Sequence, residues 1–153
     1  MTKILVDADG CPVKEEVFQV AKRHGLEVTL VANSWMRFPD EARIELVLVK
    51  DSLDAADDWI VDHVTENDIV ITGDIPLASR CLERGAQVLG PKGRVFTEDS
   101  ISGFLASREL SSHLREFGIM TGGPAPFQKR DRSRFLHALD EMIRTLIGRR
   151  PRT

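Results

Sequence analysis

The first ninety residues alternate between short apolar runs and segments whose apolar residues recur at helical spacing, and this alternation constrains the fold more than any other feature. Lys3-Ile4-Leu5-Val6 is a short run ending at Asp7 and reads as a first strand. Val28 to Ala32, Ile44 to Val49, Ile69 to Thr72 and Gln87 to Leu89 read as four more. Helical stripes lie between them: Val13, Val17, Val20 and Ala21; then Ala56, Trp59, Ile60, His63 and Val64; then Ala78, Cys81 and Leu82. Pro12 and Pro76 suit first helical turns, where a missing N–H costs little, and Gly25 and Gly85 suit helix ends. The link from Asn33 to Arg43 contains Pro39 and is too short for a full crossover helix. Strands alternating with helices indicate a parallel sheet covered on both faces.

The expected architecture is therefore α/β, a three-layer α/β/α sandwich with a mainly parallel sheet of about five strands and a helical C-terminal part. Residues 98–117 read as one broken or two short helices, and Thr121 to Gln128 as a Gly/Pro loop. Phe135, Leu136, Leu139, Met142, Ile143, Leu146 and Ile147 mark a last helix whose stripe reads as core first and as a homodimer contact second. A length of 153 residues suits one domain over 1–153, with 121–153 a loop and helix with a basic tail packed on the same domain. No apolar run reaches the roughly 18 residues of a membrane span. MTKILVDADG does not read as a signal peptide, which makes the cytoplasm the default. Cys11 and Cys81 sit in no metal-type spacing, so neither structural zinc nor a disulfide framework is expected.

Residues 1–128 hold 13 Lys/Arg against 21 Asp/Glu, and residues 129–153 hold 8 against 3, giving −8 and +5. An acidic body with a basic end suits an enzyme that gathers metal and holds a polyanion, but on charge alone a plain solubilising surface with a ragged basic end is the favoured reading. Placement of the acids is more informative. In a parallel sheet the strand C-termini share one edge, where ligands bind. Asp7 and Asp9 follow strand one, Asp54, Asp57 and Asp58 open the helix after strand three, and Asp74 follows strand four in Ile71-Thr72-Gly73-Asp74. Converging carboxylates repel unless a cation neutralises them, and hard oxygen donors suit Mg²⁺ or Mn²⁺. Each acid also has a plain reading: Asp74 as a helix cap before Pro76, Asp54 with Asp57 as a capping pair, Asp58 as a charge favoured at a helix N-terminus. With the stripe centred on Trp59, Ile60 and His63, Asp57 borders the core and Asp58 lies nearly opposite, so Asp57 is the chosen site residue.

At these residues the chain resembles the YaiI/YqxD family of small bacterial proteins. The matching stretches are DADGCPVK at 7–14, DAADDWI at 54–60, VITGDIPLA at 70–78, GPKGRVFT at 90–97 and TGGPAPF at 121–127. That family in turn resembles PIN-like domains over about residues 3–90. The resemblance implies a Mg²⁺- or Mn²⁺-dependent nuclease acting on RNA or DNA, with Asp7, Asp57 and Asp74 as metal ligands and Asp99 the candidate for a fourth acid. Asp7 and Asp74 then anchor the cation, Asp57 or Asp9 orients the attacking water or a second metal, and the cation polarises the scissile phosphate.

Gly122 and Gly123 offer backbone N–H groups to a phosphate, and Arg130, Arg132 and Arg134 follow; Lys92 and Arg94 lie after strand five at the same edge. The plain alternative is a connection into the last helix with arginines on its solvent face. Cys11 near a helix start reads as a packed residue rather than a nucleophile, and the four histidines form no ligand pattern. Trp35, Met36 and Phe38 either stack a base or cover the core. Two further functions compete. Asp7-Ala8-Asp9-Gly10 resembles the nucleophile motif of haloacid-dehalogenase-type phosphohydrolases, with Ser34, Lys50 and Asp74 as loose matches elsewhere, but Cys11 stands where that motif usually has Thr. A non-catalytic RNA-binding module would use the same acids only as helix caps.

Overall fold

The computed structural model describes residues 2–50, 52, 54–103 and 126–148. Five strands form the parallel part of one sheet: β1 (Lys3–Asp7), β2 (Glu27–Ala32), β3 (Ile44–Leu48), β4 (Ile69–Ile71) and β5 (Gln87–Leu89). A sixth, β6 (Val95–Phe96), runs antiparallel to β5, and the order is β3-β2-β1-β4-β5-β6. This sixth strand extends the expected five. Two residues are too few to show any periodicity, and a tight turn with Gly90 N–H donating to the Arg94 carbonyl at 2.8 Å forms the hairpin. Helices α1 (Lys14–His24), α2 (Ala55–His63), α3 (Ile75–Glu83) and α4 (Lys129–Gly148) complete the described elements, with helical residues at 98–103. β2 and β3 are joined without a helix, as Pro39 implied.

The sheet is buried on both faces. Along β1, Ile4 and Val6 point into one apolar cluster and Leu5 into the other, as the two-residue period of a strand requires. The first cluster holds Val13, Val17 and Val20 of α1 with Phe135, Leu139, Met142 and Ile143 of α4. The second holds Ala56, Ile60 and Val61 of α2 with Leu77, Ala78 and Cys81 of α3. Helices on both faces make three layers. The α4 stripe is core over Phe135, Leu139, Met142 and Ile143, while Ile147 stays exposed. In α2 the buried stripe runs through Ala56, Ile60, Val61 and Val64; Trp59 is only half-buried and His63 exposed, their rings stacked 3.8 Å apart at the boundary with solvent. That shifts the expected stripe, and Asp57 then lies about 40° from Val61 and about 60° from Ile60 at roughly 100° per residue.

Gly25 ends α1 in the left-handed conformation, φ 68°, its N–H closing on the Ala21 and Lys22 carbonyls. At the other end of α1, Pro12 and Val13 form a turn before the helix proper, without a side-chain cap. Among the described residues no helix is long and apolar enough to cross a membrane.

Candidate active site

Chain order and sheet order part company beside β1. The chain steps from β1 out to β2 and β3, then returns to the other side of β1 for β4 and β5. Such a reversal opens a crevice at the carboxyl ends of the two strands that flank it. Asp7 is the last residue of β1, and Val6 pairs with Ile71, so Asp7 and Thr72 leave the sheet side by side.

One hydrogen bond joins them, and two more continue the chain of contacts through Asp74 into α3. The Thr72 hydroxyl donates to Asp7 Oδ2 at 2.9 Å and accepts the Asp74 N–H at 3.0 Å. Asp74 in turn caps α3: its Oδ1 accepts the Leu77 N–H at 3.0 Å, with Pro76 in the first turn. Asp7 and Asp74 therefore each keep one carboxylate oxygen with no hydrogen bond among the described residues. Asp9 Oδ2 accepts the Asn33 N–H at 2.8 Å, tying the loop after β1 to the end of β2.

Asp57, Asp58 and Asp54 have separate fates. Asp57 is half-buried in the first turn of α2. Asp58 is exposed and pairs with Arg80 at 2.9 Å. Asp54 adopts φ 70°, offers no side-chain cap and instead accepts the Asp58 N–H with its backbone carbonyl. Burial, followed by the charges of Asp74, Asp7 and Asp54, pushes the Asp57 carboxyl up to about 6. Asp7 is raised too, first by burial and then by Asp74 and Asp9, against the lowering pull of the Thr72 hydroxyl. Asp7, Asp57 and Asp74 thus feel one another electrostatically across the crevice. Among the described residues, no three His, Cys, Asp or Glu side chains are close enough to form a ready-made metal cage.

Asp7, Asp9, Cys11, Thr72 and Asp74 line a cavity of about 220 Å³ at this point. Cys11 is raised by burial, which keeps it a thiol. A larger groove of about 880 Å³ adjoins it, and Gly10, Gly73 and Pro91 line both. Lys92, Arg94 and Arg134 stand along this groove with Ile75, Phe96 and Phe127. Arg132 does not line it: its guanidinium donates to Glu16 Oε1 at 2.8 Å and to the Pro12 carbonyl at 3.0 Å, and lies 4.9 Å from the Phe127 ring centroid. Arg130 is exposed outside the lining. Gly122 and Gly123 lie outside the described residues. Asp99 is exposed in the first turn of the helical residues 98–103, beside the reciprocal Thr97–Ser100 cap. Met36 and Phe38 pack against the core, whereas Trp35 is 68% exposed. Lys50 is exposed beyond β3, two strands away from Asp7.

Sequence reasoning passed over three contributors. Thr72 was read only as the end of strand four, although a hydroxyl between two acids is a visible signal. Asp131 is buried and accepts the Gln128 N–H at 2.8 Å at the start of α4, while also lining the groove. Gly93, at φ 88°, would place a Cβ 2.7 Å from the Arg134 carbonyl carbon, so only glycine lets the hairpin approach α4 this closely.

A family model described as "Uncharacterized BCR, YaiI/YqxD family" matches residues 5–145. A UPF0178 protein of Paramagnetospirillum magneticum is 56% identical over 143 residues, covering 94% of this chain and 95% of the relative. One from Rhodopseudomonas palustris strain HaA2 is 53% identical over 150 residues, 98% of this chain and 92% of the relative. One from Brucella ovis is 56% identical over 141 residues, 92% of this chain and 88% of the relative. No solved structure matches. The family model and these relatives span the strands, the crevice and most of α4, and on that ground the chain belongs to the YaiI/YqxD family.

Proposed function

We propose that the protein is a Mg²⁺- or Mn²⁺-dependent nuclease that hydrolyses phosphodiester bonds of RNA or DNA at the carboxyl edge of its sheet. The observation that carries this reading is that Asp7 and Asp74, at the carboxyl ends of the neighbouring strands β1 and β4, line one small cavity. Their donor set is hard oxygen, which fits these cations. Two carboxylates suffice for an ion such as Mg²⁺ that keeps several waters and takes its remaining ligands from substrate phosphate, so a preformed cage is not required. Burial first, and then the charges of Asp74, Asp7 and Asp54, raise Asp57 against the smaller opposing pull of Arg80.

A bound divalent cation would polarise a phosphoryl oxygen and make a nearby water more acidic. The chain's own residues do the rest. Thr72 gives its one hydroxyl proton to Asp7 and so holds that carboxylate as an acceptor. Asp74 is fixed by its cap, which orients its second oxygen. Asp57, with its raised pKa, can take a proton from an attacking water near neutral pH. Asp9 is held by Asn33 and orients the loop.

The test is Mn²⁺ titration by calorimetry together with cleavage of labelled RNA and DNA. Asp7→Asn is expected to abolish Mn²⁺-dependent cleavage with the fold intact. Asp74→Asn should do the same without lowering the melting temperature, because Asn also caps a helix. A parent protein that binds nucleic acid but no Mn²⁺ would make the chain an RNA-binding module. Trapping of a fluoroberyllate adduct on Asp7 would move it to the haloacid-dehalogenase type.

A further inference from the structure

We infer that a single strand of nucleic acid lies across the carboxyl edge of the sheet, perpendicular to the strands, from Trp35 at one end to the groove between the β5–β6 hairpin and α4 at the other. This rests on the hydrolase reading for the role of the crevice, and adds the path, the strandedness and the flanking contacts.

Sheet order sets the path. Reading β2-β1-β4-β5 from one side to the other, the loops at this edge present Trp35, then Asp7 and Asp9, then Asp74, then Lys92 and Arg94. Strand spacing of about 4.8 Å makes β2 to β5 roughly 14 Å, longer than one phosphate and its sugar. The acids sit in the middle, flanked by a ring and by cations.

The groove end suits a phosphate with a base attached. Its volume of about 880 Å³ falls within the range of ligand clefts, about 300–1,000 Å³. Among the described residues three cations line it against one acid, Asp131, which is buried and accepts the Gln128 N–H, and Ile75, Phe96 and Phe127 supply apolar surface, the combination found where single strands bind. It opens directly into the acidic cavity through Gly73 and Pro91. The close approach of Gly93 to the Arg134 backbone brings Arg134 up to Lys92 and Arg94 and so gathers the positive charge at one place. Residues 1–128, which carry the acids of the crevice, sum to −8 and repel a polyanion at long range, so cations beside the crevice are needed to hold one.

At the other end Trp35 leaves a large apolar ring in water, although its neighbours Met36 and Phe38 anchor the same loop in the core. Stacking on that ring needs an unpaired base. A duplex offers only base edges and phosphates there, so the arrangement selects single strands.

Intrinsic tryptophan fluorescence tests this in EDTA, where no cleavage is needed. Oligothymidylate or oligouridylate of about eight nucleotides is titrated in, and a hairpin duplex of similar charge for comparison. The single strands are expected to quench the emission saturably, the duplex to bind at least about tenfold more weakly, and Trp35→Phe to lose most of the quenching, leaving the Trp59 signal. The double variant Arg94→Gln/Arg134→Gln is expected to weaken binding about tenfold or more and to flatten the salt slope by about 1.4, at roughly 0.7 per contact. Gly93→Ala should weaken binding in the same direction by displacing the hairpin. Absence of binding, preference for the duplex, undiminished quenching in Trp35→Phe, or parental affinity in the arginine variant would overturn the path. Mn²⁺-dependent cleavage by the parent alongside any of these would leave the hydrolase reading standing. The expected binding without cleavage under any divalent metal would remove that reading and leave the path.

Discussion

Two ends of strand β4 hold aspartates in opposite circumstances. Asp68, just before β4, is 1% exposed, yet its Oδ1 accepts the Lys3 N–H at 3.3 Å and its Oδ2 the Thr65 N–H at 2.9 Å. Backbone donors answer that carboxylate, and it pins the N-terminal edge of the sheet. At the far end Asp7, Asp57 and Asp74 are less buried, and the strongest charge acting on both Asp7 and Asp57 is that of Asp74. Depth of burial therefore does not separate a structural acid from a working one. What separates them is whether the protein itself supplies the neutralising partners.

Three substitutions put this contrast under strain. Asp68→Ala should have the largest effect. It leaves two backbone N–H groups unanswered at a buried position, at a cost of about 2–4 kcal/mol. At about 2–4 °C per kcal/mol for a chain of this size, the melting temperature should fall by roughly 5–15 °C in calorimetry. A fall under about 2 °C would show that Asp68 is no anchor.

Asp57→Asn should act in the opposite direction and less strongly. Asp57 carries a folded-state pKa of about 6, above the ordinary 3.8, so its ionisation disfavours the fold. The folded protein holds the proton that the unfolded chain gives up, and stability falls as pH rises from about 4 to about 6. Allowing for solvent screening, the variant should be about 1 kcal/mol more stable at pH 7 and equal to the parent below pH 4. Urea unfolding across that range checks both points, and saturating Mn²⁺ should erase the difference by stabilising the parent.

Asp58→Asn should matter least. Its pair with Arg80 is exposed on both sides, and such pairs contribute no more than about 0.5 kcal/mol. A larger loss would mean that the charges around the crevice are coupled to Asp58 as well.

The parallel strands were legible because strands buried on both faces spell out apolar runs, and Asp7 and Asp74 because the β1 run stops at one and the β4 run just short of the other. Phase within α2 was less so. Trp59 and His63 are large and helically spaced, but they stack on each other at the rim while the smaller Ala56 and Val61 fill the core. Asp68 passed unnoticed because Asn67-Asp68 looks like ordinary turn chemistry. No local pattern announces that Arg132 will meet Glu16, 116 residues away, leaving Arg134 for the groove. Contacts of that separation belong to the topology rather than to any window of sequence.

The two faces of the sheet also close at very different moments of synthesis. Among the described residues, the last contributor to the α2–α3 face is Ile101. The opposite face, carrying Ile4, Val6, Val28 and Leu30, is covered in part by Val13, Val17 and Val20 of α1 and waits for Phe135 to Ile143 of α4 for the rest. At about 5–20 residues per second, the stretch from Ala32 to Ile143 takes roughly 5–20 s to translate. For that interval the nascent chain carries a sheet face that α1 covers only in part, a standing invitation to chaperones that lasts until α4 emerges.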